Sequence, residues 1–253
     1  MPSPIVGATR VAAVLAATSN LLAQTITSYQ RDTPLVIDWV PVFQFVLWSI
    51  ISTPPNFLWQ DFLESTFPAY HASPTREAVL SASKAGGDAD AALDSAGKEA
   101  KLVEPRLNKA NTVVKLLLDQ TIGAAGNTIL FSLFIHAVQA AMHRPLGAPL
   151  STPDQSVRFL LSGLFPSLFA AVIKSDSGKA VRARAFDYSR VSWPATWARA
   201  QAEFVPIMVA GWKLWPLVSL INFTLIKTIE GRSLVGGLAG VVWGVYMSLL
   251  ASK

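Results

Sequence analysis

The chain has 253 residues, of which 15% are charged and 51% hydrophobic, and its mean hydropathy is +0.40. Soluble domains are about 25% charged, so this composition is typical of a membrane protein rather than a soluble one. The net charge is +5, and cysteine is absent, which excludes disulfides, cysteine-based metal sites and a cysteine nucleophile. Eight Trp and thirteen Phe residues suit the aromatic belts at the two membrane surfaces.

The first two apolar segments are residues 5–26 and 39–60. The first segment is interrupted by Arg10 and Asn20, and a signal peptide is the competing interpretation for it. The second has no charged residue and is long enough to cross a bilayer, which takes about 20 residues. Pro54 and Pro55 should break it near its far end. Both segments are predicted to be helices.

Residues 73–108 differ from the rest of the chain, because they are rich in Ala, Ser, Gly, Asp and Lys and contain no aromatic residue. Such a composition buries too little apolar surface to order itself. We therefore predict a single membrane domain over residues 1–253, with a disordered polar insert at residues 73–108. The insert is a linker or a docking segment for a protein partner.

The next apolar segments are residues 115–142 and 157–173. Lys115 and Asp119 are four residues apart at the start of the first, so they can pair on one helical face. The second has only about 17 residues, so it crosses obliquely or lies in the interface. Residues 174–199 form a basic segment with two tryptophans, predicted to lie on the membrane surface.

The last two apolar segments, residues 204–226 and 233–252, predict a helical hairpin with a kink at Pro216. Small residues spaced four apart form a ridge on the second helix, suited to docking a neighbouring helix or a second copy of the chain: Gly236, Gly240 and Gly244. The predicted fold is all-α, a polytopic transmembrane helix bundle with four strong spans and two weaker or interfacial helices. If every segment crosses, there are six spans.

No catalytic, nucleotide-binding or metal-binding pattern is present in the sequence. The three histidines lack ligand spacing, and there is no phosphate-binding loop or nucleophile elbow. Basic residues do not alternate with aromatic ones as a nucleic-acid site would require. We expect no enzyme activity, no cofactor, no metal and no nucleic-acid partner.

The C-terminal hairpin carries a distinctive order of residues: Trp212, Lys213, Trp215, Pro216, Asn222, Phe223, Arg232, Trp243, Tyr246 and Ser248. This order resembles the signature of the Mpv-type, 22-kDa peroxisomal membrane protein family. Earlier positions match the same family: Asn20, Gln24, Pro54, Trp59, Glu64, Lys115, Asp119 and Gln120. Lys227 and Gly244 depart from the pattern at the hairpin turn and near its end.

The resemblance implies an integral organelle-membrane protein, with the peroxisomal membrane favoured and the mitochondrial inner membrane as the alternative. It also implies a pore for small solutes, which would be lined by polar residues inside the apolar segments: Asn20, Gln24, Asp119, Gln120, Lys213, Asn222 and Arg232. The alternative role for each side chain is an interhelical hydrogen bond. The alternative function for the chain is a membrane scaffold or assembly factor for organelle biogenesis and maintenance.

Overall fold

The computed structural model describes residues 3–74, 103–142, 153–165, 171–174, 180–183 and 185–251. This part of the chain is predominantly helical, with two short antiparallel strand pairs. The helices are α1 (Pro4–Gln30), α2 (Trp39–Thr66), α3 (Lys109–Leu118), α4 (Ala124–Ala141), α5 (Pro153–Leu164), α6 (Trp193–Gly211), α7 (Trp215–Thr224) and α8 (Ile229–Ala251). The strands are β1 (Tyr70–Pro74), β2 (Val103–Leu107), β3 (Ala171–Lys174) and β4 (Ala180–Ala183).

The helices form a closed ring. Helix α1 packs between α2 and α8, α2 contacts α4, α3 packs on α7, and α7 contacts α8. A five-residue π-helical turn, Asp119–Gly123, joins α3 to α4, so these elements run as one continuous helix. Helix α6 packs on α4 outside the ring. The ring brings α2, α3, α7 and α8 together at one end of the bundle.

The opposite end of the bundle is held by an apolar cluster. Val40, Met142, Phe159 and Ala185 are buried there, and Phe43 and its neighbours pack around them. This cluster joins the start of α2, the end of α4 and helix α5. It lies about 36 Å along α2 from Glu64, since each helical residue rises about 1.5 Å. The two ends of the bundle are therefore closed by different kinds of contact.

In the described part of the chain, two helices are long and apolar enough to cross a membrane: Pro4–Gln30, and the continuous helix Lys109–Ala141. The pair Trp193–Gly211 and Trp215–Thr224, which bends by 57°, makes a third if it is one broken span. The prediction of a helical membrane protein is confirmed, but the count of four strong spans is not. Helix α2 contains Pro54 and Pro55 yet remains helical from Trp39 to Thr66, so the predicted break there is wrong.

The segment predicted at residues 157–173 does not form an oblique span. Helix α5 ends at Leu164 after 12 residues, which is about 18 Å and too short for a hydrocarbon core of about 30 Å. Ala171–Lys174 then pairs with Ala180–Ala183 as strands. The two tryptophans of the basic segment, Trp193 and Trp197, are exposed on the first turns of α6 and belong to that helix. The described part of residues 174–199 therefore does not form one helix, and the position of this segment on a membrane surface stays a prediction.

The polar insert is ordered at both of its ends. Tyr70–Pro74 pairs with Val103–Leu107, and Asn108 caps α3 by accepting from the Asn111 N–H at 3.1 Å. Residues 75–102 of the predicted insert lie outside the described residues. The strand pair sits against the turn between α7 and α8, because the Tyr70 hydroxyl donates to the Thr224 carbonyl at 2.5 Å.

The bend between α6 and α7 lies at Trp212–Leu214, immediately before the predicted kink. Pro216 occupies the second position of α7, where no hydrogen bond is lost by the missing N–H. Lys213 lies exposed in this bend, and not inside an apolar helix as expected from its sequence position.

The predicted glycine ridge of α8 is divided between two directions. Gly244 packs against Ser19 of α1, whereas a Cβ added at Gly236 or Gly240 would meet nothing within 4 Å. Gly237 is the second glycine that faces α1: a Cβ there would lie 2.6 Å from Leu15 Cδ1. Close packing of α1 on α8 therefore depends on Gly237 and Gly244.

We expect Gly237→Val to destabilise the protein by about 1–3 kcal/mol, because its branched side chain overpacks the contact with Leu15. Gly236→Val is the matched control, since its Cβ has open space, and its effect should be small. Thermal unfolding in detergent, followed by tryptophan fluorescence, measures both. Equal destabilisation by the two variants would contradict the assigned packing.

Candidate functional site

A carboxylate shared by two buried cations lies where α2, α3 and α8 meet. Glu64 Oε2 accepts from Lys115 Nζ at 2.7 Å and from Arg232 Nη2 at 2.7 Å. The side chains of Lys115 and Arg232 are 0% and 2% exposed, whereas that of Glu64 is 29% exposed. The second oxygen, Glu64 Oε1, accepts from the Ala69 N–H at 2.8 Å. Two positive charges thus face one negative charge.

The aromatic ring of Phe223 supports both cations from α7. Lys115 Nζ lies 5.1 Å and Arg232 Cζ 5.5 Å from the ring centroid, within the range of cation–π attraction. Arg232 Nε donates to the carbonyls of Asn222 and Ile226, each at 3.1 Å. Asn222 Nδ2 donates in return to the Arg232 carbonyl at 3.4 Å. These bonds hold the turn between α7 and α8 in one shape.

A second carboxylate, Asp119, is surrounded by neutral donors. Its Oδ1 accepts from Trp59 Nε1 at 3.2 Å and from Gln60 Nε2 at 3.1 Å. Its Oδ2 accepts from Gln120 Nε2 at 3.2 Å and from the Ser219 hydroxyl at 2.6 Å. Four donors from three helices therefore converge on a single carboxylate.

The π-helical turn and a glycine give Asp119 its position. Asp119 is the first residue of the turn, and Gly123 is the last. A Cβ on Gly123 would lie 2.8 Å from Trp59 Nε1, so only glycine allows the indole to reach the carboxylate. Trp212 Nε1 donates to the Gln120 carbonyl at 3.1 Å, which fastens the bend before α7 to the same turn. Single π-helical turns within α-helices are frequent at functional sites.

The two carboxylates belong to adjacent layers of one polar seam. Gln60 and Glu64 are four residues apart on α2, and Lys115 and Asp119 are four apart across α3 and the π-helical turn. Positions four apart stack on one face about 6 Å along the helix axis. We use the name polar seam for both layers: Gln60, Asp119, Gln120 and Ser219 in the first, and Glu64, Lys115, Asn222 and Arg232 in the second.

Four buried polar atoms of the polar seam have no hydrogen-bond partner among the described residues. Three are acceptors, the amide oxygens Gln60 Oε1, Gln120 Oε1 and Asn222 Oδ1, and one is the donor Arg232 Nη1. Buried polar groups are nearly always hydrogen-bonded, so each such atom requires an explanation. Their concentration here marks the polar seam as the candidate site.

A smaller polar contact joins α4 to α6. Glu203 Oε2 lies 2.8 Å from His136 Nε2 and accepts from the Ser132 hydroxyl at 3.2 Å. Ser132 and His136 are four residues apart on α4, with Thr128 one further turn away against Met208 of α6. This stripe joins α4 to α6, as interhelical hydrogen bonds do in membrane proteins.

The polar residues predicted from the sequence are only partly brought together. Asp119, Gln120, Asn222 and Arg232 all lie in the polar seam. Gln24 is elsewhere: it bonds Asn20 at 2.9 Å and holds the backbone of Asp38, at the start of α2, through two hydrogen bonds of 2.8 Å. The expected pair between Lys115 and Asp119 is wrong, because Lys115 binds Glu64.

Sequence reasoning missed Gln60 and Ser219 and gave Glu64 no role beyond the family match. Gln60 and Ser219 are single polar residues next to apolar runs, which is the signal that marked Asn222. Their spacing was also informative, since Gln60 and Glu64 repeat the four-residue interval of Lys115 and Asp119. His136 and Glu203 could not be paired from sequence, because they lie 67 residues apart.

We expect Glu64→Gln to cost roughly 2–4 kcal/mol, because it leaves two buried cations without their shared carboxylate. Lys115→Met should cost less, since Glu64 keeps Arg232. Glu230→Gln, an exposed acid on α8, is the matched control and should change stability by less than about 0.5 kcal/mol. Thermal unfolding in detergent measures all three, and a greater loss in Lys115→Met than in Glu64→Gln would contradict the assignment.

Comparison with known proteins gives matches in the C-terminal part of the chain. The model of the Mpv17 / PMP22 family matches residues 189–248. The chain is 45% identical over 51 residues to PXMP2/4 family protein 3 of Dictyostelium discoideum. The aligned residues make up 20% of this chain and 27% of that relative. No solved structure matches. The matched segment contains Ser219, Asn222 and Arg232 of the polar seam. Residues 189–248 are therefore similar to the Mpv17 / PMP22 family, and the similarity spans about a quarter of the relative's length.

Proposed function

We propose that this protein controls the passage of small polar solutes across an organelle membrane and that the polar seam is its gate. The peroxisomal membrane is the favoured location, and the mitochondrial inner membrane is the alternative. The observation that carries the proposal is the position of the polar seam. It joins α2, α3, α7 and α8 at one end of a ring of helices, and Gly236 and Gly240 of α8, which follow Arg232, have open space beside them.

The inner face of α8 supports this proposal. Arg232, Gly236 and Gly240 follow one another at intervals of four residues, so they lie on one stripe of the helix. Leu234 and Leu238 are exposed on the opposite side, towards the lipid. A Cβ added at Gly236 or Gly240 would meet nothing within 4 Å. Open space therefore begins within two turns of the buried guanidinium.

Helix α1 contributes a similar face. Ala12, Ala16 and Asn20 also repeat at intervals of four, opposite the exposed Val14 and Leu22. All three lie on the side of α1 that faces α2 and α8. Close packing there would bury them fully, but they are only half-buried. Small residues at this face leave room inside the ring that larger side chains would fill.

The chemistry of the polar seam suits a gate for polar solutes. Charged side chains inside a membrane protein are costly, and they usually face a path for ions or solutes. Here Glu64, Lys115 and Arg232 bind one another across three helices, so separating those helices requires the bonds of Glu64 to break. A solute that replaces those bonds transiently can pass, provided that it binds weakly enough to leave.

The test uses purified protein in liposomes loaded with polar solutes of graded size. We expect the wild-type protein to release small solutes and retain large ones. Gly240→Trp should reduce this release towards the rate of protein-free liposomes, because its side chain enters the ring. Gly126→Trp is the matched control: Gly126 is exposed and also has open space around it, so its release should match the wild type.

Two further variants test whether solute release depends on parts of the chain outside the proposed gate. Lys213→Ala and deletion of residues 81–101 should leave release unchanged, since Lys213 is exposed in the bend and the deletion lies outside the ring helices. Inserted wild-type protein that releases no solute would refute the proposed function. Equal inhibition by Gly240→Trp and Gly126→Trp would refute the assigned path.

A further inference from the structure

The Asp119 carboxylate has no cationic partner among the described residues. Its four hydrogen bonds come from an indole, two amides and a hydroxyl, all of them neutral. Lys115, one turn away, is bound to Glu64 instead. Ionisable residues inside a membrane domain usually pair with an opposite charge. The Asp119 charge is therefore left without a counter-charge in direct contact.

Unused acceptor oxygens surround the same carboxylate. Gln60 is only 8% exposed, its Nε2 bonds Asp119, and its Oε1 is buried without a partner. Gln120 repeats this arrangement, with its Nε2 on Asp119 and its Oε1 unpartnered. A half-turn of a terminal amide exchanges its oxygen and nitrogen positions with little change in shape. Both glutamines can thus present an oxygen where each now presents an N–H.

We propose that Asp119, Gln60, Gln120 and Ser219 form a binding site for a small monovalent cation such as Na⁺. Carboxylate, amide carbonyl and hydroxyl oxygens are ligands suited to hard cations. After the half-turn, the two amide oxygens would stand 3.1 Å and 3.2 Å from the Asp119 oxygens, the present positions of the nitrogens. Oxygen–oxygen separations of about 3 Å are those of ligands that share a small cation at about 2.4 Å. The two oxygens would then face the cation, and the amide nitrogens would occupy the positions that the oxygens now hold.

The number of carboxylates in the site favours a monovalent ion. The positive charges of Lys115 and Arg232 exceed the negative charge of Glu64 by one unit. This layer lies about 6 Å along the helix axis from Asp119. This surplus repels any cation, so it offsets part of the attraction of Asp119. Sites for divalent ions usually supply more than one carboxylate, whereas this site has one.

The surroundings resemble those in which membrane proteins bind such ions. In transporters, coupling ions bind beside helices that are interrupted. Asp119 opens a π-helical turn, and the 57° bend between α6 and α7 is fastened to the same turn by Trp212. The ion site goes beyond the proposed gate, because a cation can bind there whether or not solutes pass.

The experiment measures the Tm of the purified full chain in detergent, by tryptophan fluorescence, against NaCl concentration. N-methylglucamine chloride keeps the ionic strength constant, and LiCl, KCl and CaCl₂ series test ion size and charge. We expect Tm to rise saturably with one small monovalent ion, because a ligand that binds only the folded state stabilises it. CaCl₂ should have less effect than that ion.

Asp119→Asn should abolish the rise, and Ser219→Ala should weaken the apparent affinity roughly tenfold or more. Gln60→Glu adds a carboxylate and should strengthen the apparent affinity for the cation. This variant keeps the test decisive if Asp119→Asn does not fold. Glu203→Gln, which removes an acid on α6, is the control and should respond like the wild type. A wild-type Tm that is the same in every chloride, or a full rise in Asp119→Asn, would overturn the ion site. Neither result depends on solute release, so the proposed function is tested separately.

Discussion

The described structure depends on one carboxylate that two buried cations share. Glu64 binds Lys115 and Arg232 at the same oxygen. This contact fixes the positions of α2, α3 and α8 relative to one another along the bundle axis. Burying two cations is favourable only if the anion and the remaining hydrogen bonds are well placed. Phe223 and the backbone carbonyls around Arg232 supply that support. Because Asp119 follows Lys115 by one turn, its position and the whole first layer of the polar seam depend on this contact.

The two layers of the polar seam balance each other in charge, although neither is neutral alone. Glu64, Lys115 and Arg232 sum to one positive charge, and Asp119 supplies one negative charge. At a separation of about 6 Å and an effective dielectric constant of about 20, such charges interact by about 3 kcal/mol. The layers are therefore coupled: a change of charge at Asp119 alters the balance at Glu64. A monovalent cation bound in the first layer would cancel the charge of Asp119 and leave the surplus of the second layer uncompensated.

Sequence patterns could predict the helices, because apolar runs of sufficient length leave few other structures. They could not predict the partner of Lys115. The spacing of four residues along a helix suggests Asp119, whereas the actual partner, Glu64, is 51 residues away in the chain. Similarly, the spacing of the glycines identified a ridge on α8, but not that some of its glycines pack on α1 while others have open space beside them. That division depends on how α8 is rotated against Leu15 and Ser19, which no local pattern contains. The short strand pairs were missed because pairing across an intervening segment is a tertiary property.

The contrast between the two ends of the bundle is the reason to place the gate at the polar seam. Val40, Met142 and Phe159 close the other end by close packing of apolar side chains. A polar solute cannot replace these apolar contacts, so opening this end would expose apolar area at a cost of about 25 cal/mol per Å². At Glu64, in contrast, a solute or water can replace each bond that is broken, because polar groups exchange partners at small net cost. The end that can rearrange in response to charge is thus the end held by ion pairs, and the inner stripe of α8 that follows Arg232 is lined by glycine.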